Sequence, residues 1–121
     1  MSTIRVDNFG PSAGGTTYSA RGIAKAWVSA SDAAVLQDSL NISSGTDNGV
    51  GDYTYAFSNA MNNASYGVIS ACADGGVPVF SANVLGLSAA SYNVQHGYTS
   101  TAPAYVDADL ANYSAVLGDL A

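Results

Sequence analysis

The segment Asp52-Tyr53-Thr54-Tyr55-Ala56-Phe57 fits a strand and little else. An extended chain puts Tyr53, Tyr55 and Phe57 on one face and Thr54 and Ala56 on the other, whereas a helix would scatter them. The aromatic face is the natural core face. Just upstream stands Asp47-Asn48-Gly49, whose Asn and Gly accept the positive φ that tight hairpins require. A turn followed by an aromatic strand sets the grammar for the chain.

Similar short blocks recur between polar breaks. Strands are expected near 3–7, 22–30, 34–42, 51–58, 65–73, 77–84, 91–98 and 111–118. Phe9 to Thr17, with a Gly-Pro and a Gly-Gly, reads as a loop, and so does Thr99 to Asp109 around Pro103. Asp74-Gly75-Gly76 is a second turn, joining two strands that could pair directly as a hairpin. Ser58 to Ala64 is a polar connection with room for one helical turn. In 23–28, Ala24, Ala26 and Val28 share one face, and Ile23, Lys25 and Trp27 share the other. The small face suits either a tight interior or close packing between subunits.

Helices find no support. No long segment carries a 3.6-residue apolar period, and glutamate is absent, with one lysine and two glutamines. The expected architecture is a single β-sandwich of about eight short antiparallel strands, jelly-roll-like, spanning 1–121. Residues 1–21 form its N-terminal strand and Gly-rich loop, and 22–121 its core. Apolar residues make up 48% of the 121, many of them alanine. A monomer would bury little large apolar surface, which favours homo-oligomers.

Charge narrows the partners. Three basic residues, Arg5, Arg21 and Lys25, face nine aspartates for a net charge of −6. Phosphate neutralisation needs clustered cations, so nucleic acid is not an expected partner. No apolar run approaches the roughly 20 residues that span a bilayer, so no membrane insertion is expected. No h-region follows Arg5, so synthesis without secretory export is expected. The single cysteine, Cys72, excludes an internal disulfide and any Cys-cluster metal site. Its apolar surroundings suit a buried thiol.

Chemistry is thinly represented. His96 is the only histidine, and alternation puts it on the face of Tyr92, Val94 and Tyr98, as a strand histidine. There is no nucleophile elbow, phosphate loop or zinc-protease motif. Asp107 and Asp109 are the best pair for glycoside hydrolysis, but without a glutamate the acid role is awkward. Asp47 to Asp52 offers oxygen ligands for Ca²⁺ yet departs from the calcium-loop pattern, and a hairpin turn explains it better. No enzyme, cofactor or metal is therefore expected. Eight tyrosines on a Ser- and Asn-rich chain suit recognition, where a ring packs and a hydroxyl hydrogen-bonds. Tyr18, Tyr98 and Tyr105, in or beside expected loops, are the candidates for contact with a ligand such as a glycan.

Several blocks together carry a resemblance. Lys25-Ala26-Trp27-Val28, Asp38-Ser39-Leu40-Asn41-Ile42-Ser43-Ser44 and Asp47 through Phe57, with Ala60-Met61 and Tyr66 in step, are similar to a small β-domain of bacteriophage tail fibres, cyanophage-like in wording. Ser2 to Asn8 resembles the opening strand of such proteins, and Asn112 to Asp119 their terminal strand. The resemblance implies a homotrimeric virion component assembled in the host cytoplasm, contacting other virion proteins of tail or capsid. Its expected role is a non-enzymatic tail-fibre or tail-tip part that touches the host surface. The alternative is a capsid decoration protein or head fibre. Lys25, Trp27, Tyr53, Tyr55 and Phe57 are then expected in the structural core or oligomer interface. Such domains usually cap a longer fibre, so a chain starting at Met1 is expected to attach through its own surface.

Overall fold

The computed structural model describes residues 8–9, 18–19, 23–73, 80–100 and 104–121, with side chains for 23–73, 81–100 and 104–121. The strand expected at 3–7 and the Asp74-Gly75-Gly76 turn lie outside these residues. Eleven strands and no helix occur among the described residues. A two-residue pair comes first, β1 (Asn8–Phe9) antiparallel to β2 (Tyr18–Ser19), bracketing the expected Gly-rich loop.

Two antiparallel sheets follow. The first runs β4 (Leu36–Leu40), β3 (Ala24–Ala30), β11 (Ala111–Leu117), β7 (Gly67–Ala73). The second runs from β5 (Ile42–Gly49) through β6 (Asp52–Phe57) to β9 (Ser91–Thr99). β8 (Phe80–Leu87) lines the far side of β9, and β10 (Tyr105–Asp107) takes over the near side where β6 stops. The handover is made at His96, whose N–H donates to the Gly51 carbonyl at 2.7 Å while its own carbonyl accepts from Ala108 N–H at 3.1 Å.

The core lies between the sheets. Tyr53, Tyr55, Phe57, Tyr92 and Val94 come from the second sheet, and Ala26, Val28, Ala30 and Val116 from the first. Three tyrosines fill the space that alanines leave open. Small residues on one sheet match bulky rings on the other, and ring centroids sit 5.6 Å apart for both Tyr55–Tyr92 and Phe57–Tyr92. Of the two readings of the alanine face, the tight interior is the one observed. Tyr53, Tyr55 and Phe57 are spent inside one chain and offer nothing to a neighbour. Trp27 lies opposite, half-exposed beside Lys25 on the outer face of the first sheet.

Several local expectations need correction. The strand expected over 34–42 breaks at Asn41, which takes φ 56°, and the chain passes to the other sheet. The Asn41 side chain fixes that corner, accepting from Asn59 N–H at 2.7 Å and donating to the Asn59 carbonyl at 3.0 Å. β5 then occupies residues that read as a connection. It is an edge strand whose inward positions include Ile42 and Gly45, so no apolar alternation announces it. β7 and β8 do not form the expected hairpin but enter different sheets, with Cys72 Sγ 3.7 Å from the Ser81 carbonyl oxygen. That thiol is half-buried, and desolvation raises its pKa. Ser58 to Ala64 makes no helical turn; Met61, fully buried, anchors it by bridging to Leu120.

Candidate ligand-contact face

His96 is the only histidine, and the fold places it in the interior. It sits wholly buried on the inner face of β9, with Tyr92 and Val94 as expected. Nε2 lies 3.3 Å from Ser70 Oγ, across the two sheets, and the Tyr53 ring packs beside it at 5.5 Å. Nδ1 has no hydrogen-bond partner among the described residues. Burial lowers the imidazole pKa from 6.5 to about 4, the Leu110 carbonyl acting weakly the other way. His96 is therefore neutral at pH 7 and out of contact with solvent.

That burial has a consequence for stability. The unfolded chain takes up a proton at His96 near pH 6.5 and the folded chain only near 4, so acid favours unfolding across that interval. Stability should fall by up to about 3 kcal/mol between pH 6.5 and 4 from this group. Denaturant melts at a series of pH values should show the slope in wild type and a flatter one in His96→Gln. An unchanged slope in the variant would refute the assignment.

Two aspartates weighed for hydrolysis or Ca²⁺ binding, Asp109 and Asp47, hold turns. Asp109 Oδ1 accepts from Gly51 N–H at 2.8 Å and from Tyr53 OH at 3.2 Å. Asp47 Oδ1 accepts from Gly49 N–H at 3.0 Å, closing the β5–β6 turn. Gly51, next along, adopts φ 70°, the left-handed conformation glycine tolerates best. No group of three metal-ligating side chains occurs among the described residues.

The two outer faces differ sharply. On the first sheet the register aligns Leu40, Trp27, Ala115 and Ile69 in one row across all four strands. The neighbouring row carries Tyr113, which with Ile69, Ala71 and Ala115 lines an open groove of about 300 Å³. Ile69 is 64% exposed and Tyr113 45%. These residues form an outward-facing apolar patch on a sheet face that also carries Lys25, Ser29 and Asp38.

The second sheet presents polar side chains. Asp52, Gln95 and Asn83 stand in register across β6, β9 and β8, and Thr54 and Asn93 form the next row. Asp52 Oδ1 accepts from Asn93 Nδ2 at 2.6 Å and from Asn48 Nδ2 at 3.1 Å. The same two amides reach Thr54 Oγ1, at 3.2 and 2.8 Å. Tyr105, 44% exposed, lies over Gly97 with its hydroxyl end beside Asn83. A Cβ on Gly97 would stand 2.4 Å from the Val106 carbonyl oxygen and 2.6 Å from Tyr105 Cζ. Only glycine lets the ring rest on the strand.

The three tyrosines chosen from sequence do not form one site. Tyr105 is on the polar outer face. Tyr98 is its near neighbour in the β9–β10 ladder, but it opposes Val106 and so points to the other side, half-buried. Tyr18 pairs with Phe9 in the short N-terminal ladder, and its side chain lies outside the described residues. Sequence reasoning missed Asp52, Asn83, Asn93 and Gln95. For Asp52, Asn93 and Gln95 the signal lies in the alternate positions of β6 and β9, opposite their aromatic residues; nothing in the β8 sequence singles out Asn83. No family model, curated protein or solved structure matches this chain.

Proposed function

We propose that this chain is a non-enzymatic building block of a phage particle: a small tail-fibre or tail-tip component, jelly-roll-like, that assembles as a homotrimer and touches the host surface. The contrast between the two outer faces carries the proposal. An apolar patch with Trp27, Ile69 and Tyr113 suits burial against copies of the chain or other virion proteins. A polar, hydrogen-bonded face with an exposed tyrosine suits reversible contact with a ligand. The resemblance of the Lys25 to Phe57 blocks to tail-fibre domains supplies the setting. The sole histidine, wholly buried against Ser70 and Tyr53, fits a non-enzymatic reading.

Labelled antibodies against the chain should decorate tails of the intact particle, and sedimentation of the purified protein should give three copies. Decoration of heads would overturn the tail assignment in favour of a capsid decoration protein. A stable single-copy species would remove the trimer.

A further inference from the structure

We propose that the outer face of the β5–β6–β9–β8 sheet, centred on Gln95 and bounded by Tyr105, binds an uncharged oligosaccharide. The inference rests on the recognition role proposed above and names its site and ligand class.

The arrangement of donors and acceptors comes first. Asp52 spends Oδ1 on Asn48 and Asn93, and no donor among the described residues meets Oδ2. A carboxylate oxygen so placed accepts well from a hydroxyl. The Gln95 side chain, half-buried between Asp52 and Asn83, has no hydrogen-bond partner among the described residues and offers both a carbonyl and an NH₂. Alternating acceptors and donors at fixed positions match vicinal hydroxyls, which donate and accept at once. The amide bridges from Asn48 and Asn93 hold the platform in place before any ligand arrives.

The wall comes next. Tyr105 is held over Gly97 at the edge of the amide row and leaves part of its ring to solvent. An exposed ring beside polar groups fits a sugar, whose C–H face packs while its hydroxyls hydrogen-bond.

Charge selects among sugars. Asp52 and Asp107 lie on this face, and no lysine or arginine among the described residues does. A sialylated or sulfated glycan would meet like charges with no compensating cation. An uncharged chain of hexoses meets no such barrier.

The full chain should be applied to immobilised neutral hexose oligosaccharides, sialylated oligosaccharides and sulfated oligosaccharides, with hits titrated by calorimetry. Binding is expected to the neutral set. Tyr105→Ala and Gln95→Ala should each weaken it at least tenfold, while Tyr105→Phe, which keeps the ring, retains most of it. Val35→Ala, exposed in the β3–β4 turn away from both outer faces' named residues, should bind as wild type does. Circular dichroism would confirm that each variant is folded. Binding confined to the anionic sets, binding indifferent to Tyr105→Ala and Gln95→Ala, or no binding to any set would each overturn the proposal. Antibody labelling of the particle reports on the virion role separately, so the two can fail independently.

Discussion

Between pH 10 and 12 the domain should unfold in one cooperative step, and its buried tyrosines should ionise in that same step. Tyr53, Tyr55 and Tyr92 are among the largest fully buried side chains. Desolvation is the chief cause of a raised phenol pKa in each, and Tyr92 is pushed up to about 12. The unfolded chain ionises near pH 10, so the stabilisation from neutral burial is intact below pH 10 and drains away above it. Tyr92 alone should remove about 3 kcal/mol by pH 12. Tyr53 and Tyr55 shift in the same direction, so the three together remove about 8 kcal/mol by pH 12, the larger part of a total stability of roughly 5–15 kcal/mol. Absorbance of phenolate near 295 nm and far-ultraviolet circular dichroism should therefore change together. A gradual titration of all tyrosines near pH 10, with the dichroism unaltered, would contradict this packing.

The same three rings show how far the sequence could be read. Alternation in 52–57 marks the core face of β6, and in β9 it groups Tyr92, Val94 and His96 on one side, because a half-buried strand writes its inside and outside into alternate letters. Strands at the places of all four members of the first sheet are legible from short apolar blocks between polar breaks. β5 is not, since an edge strand that faces the core with Ile42 and Gly45 leaves no apolar rhythm. β10 is only three residues long and is held by β9 and by the Ala108 hydrogen bond to His96 rather than by its own pattern. The separation of β7 from β8 is a tertiary choice. Each strand finds a longer ladder elsewhere, β7 with β11 and β8 with β9, and no local signal distinguishes that from a hairpin. The candidate site was half legible. Tyr105 could be picked as an aromatic near a loop, but its partners come from β6, β8 and β9, and only the register joins them.

Two substitutions of identical chemistry should have opposite signs. The Tyr53 hydroxyl accepts from the buried Leu110 N–H at 3.1 Å and lies 2.9 Å from the Asp32 carbonyl and 3.2 Å from Asp109 Oδ1, as a donor to them. It ties the β3–β4 turn, the β5–β6 turn and the entry to β11 at one point. Tyr53→Phe leaves the Leu110 N–H buried without a partner and should cost about 1–3 kcal/mol. Tyr55, two residues on and equally buried, has a hydroxyl with no hydrogen-bond partner among the described residues. That group gave up its water on folding and received nothing in return. Tyr55→Phe keeps the ring against Tyr92 and discards the unpaired hydroxyl, so it should stabilise by about 1 kcal/mol. Urea melts of the two variants beside wild type decide the matter through their midpoints at unchanged slope. If Tyr55→Phe were as destabilising as Tyr53→Phe, its hydroxyl must find a partner in solution, and the sheets could not be packed as closely there as the alanines of β3 allow.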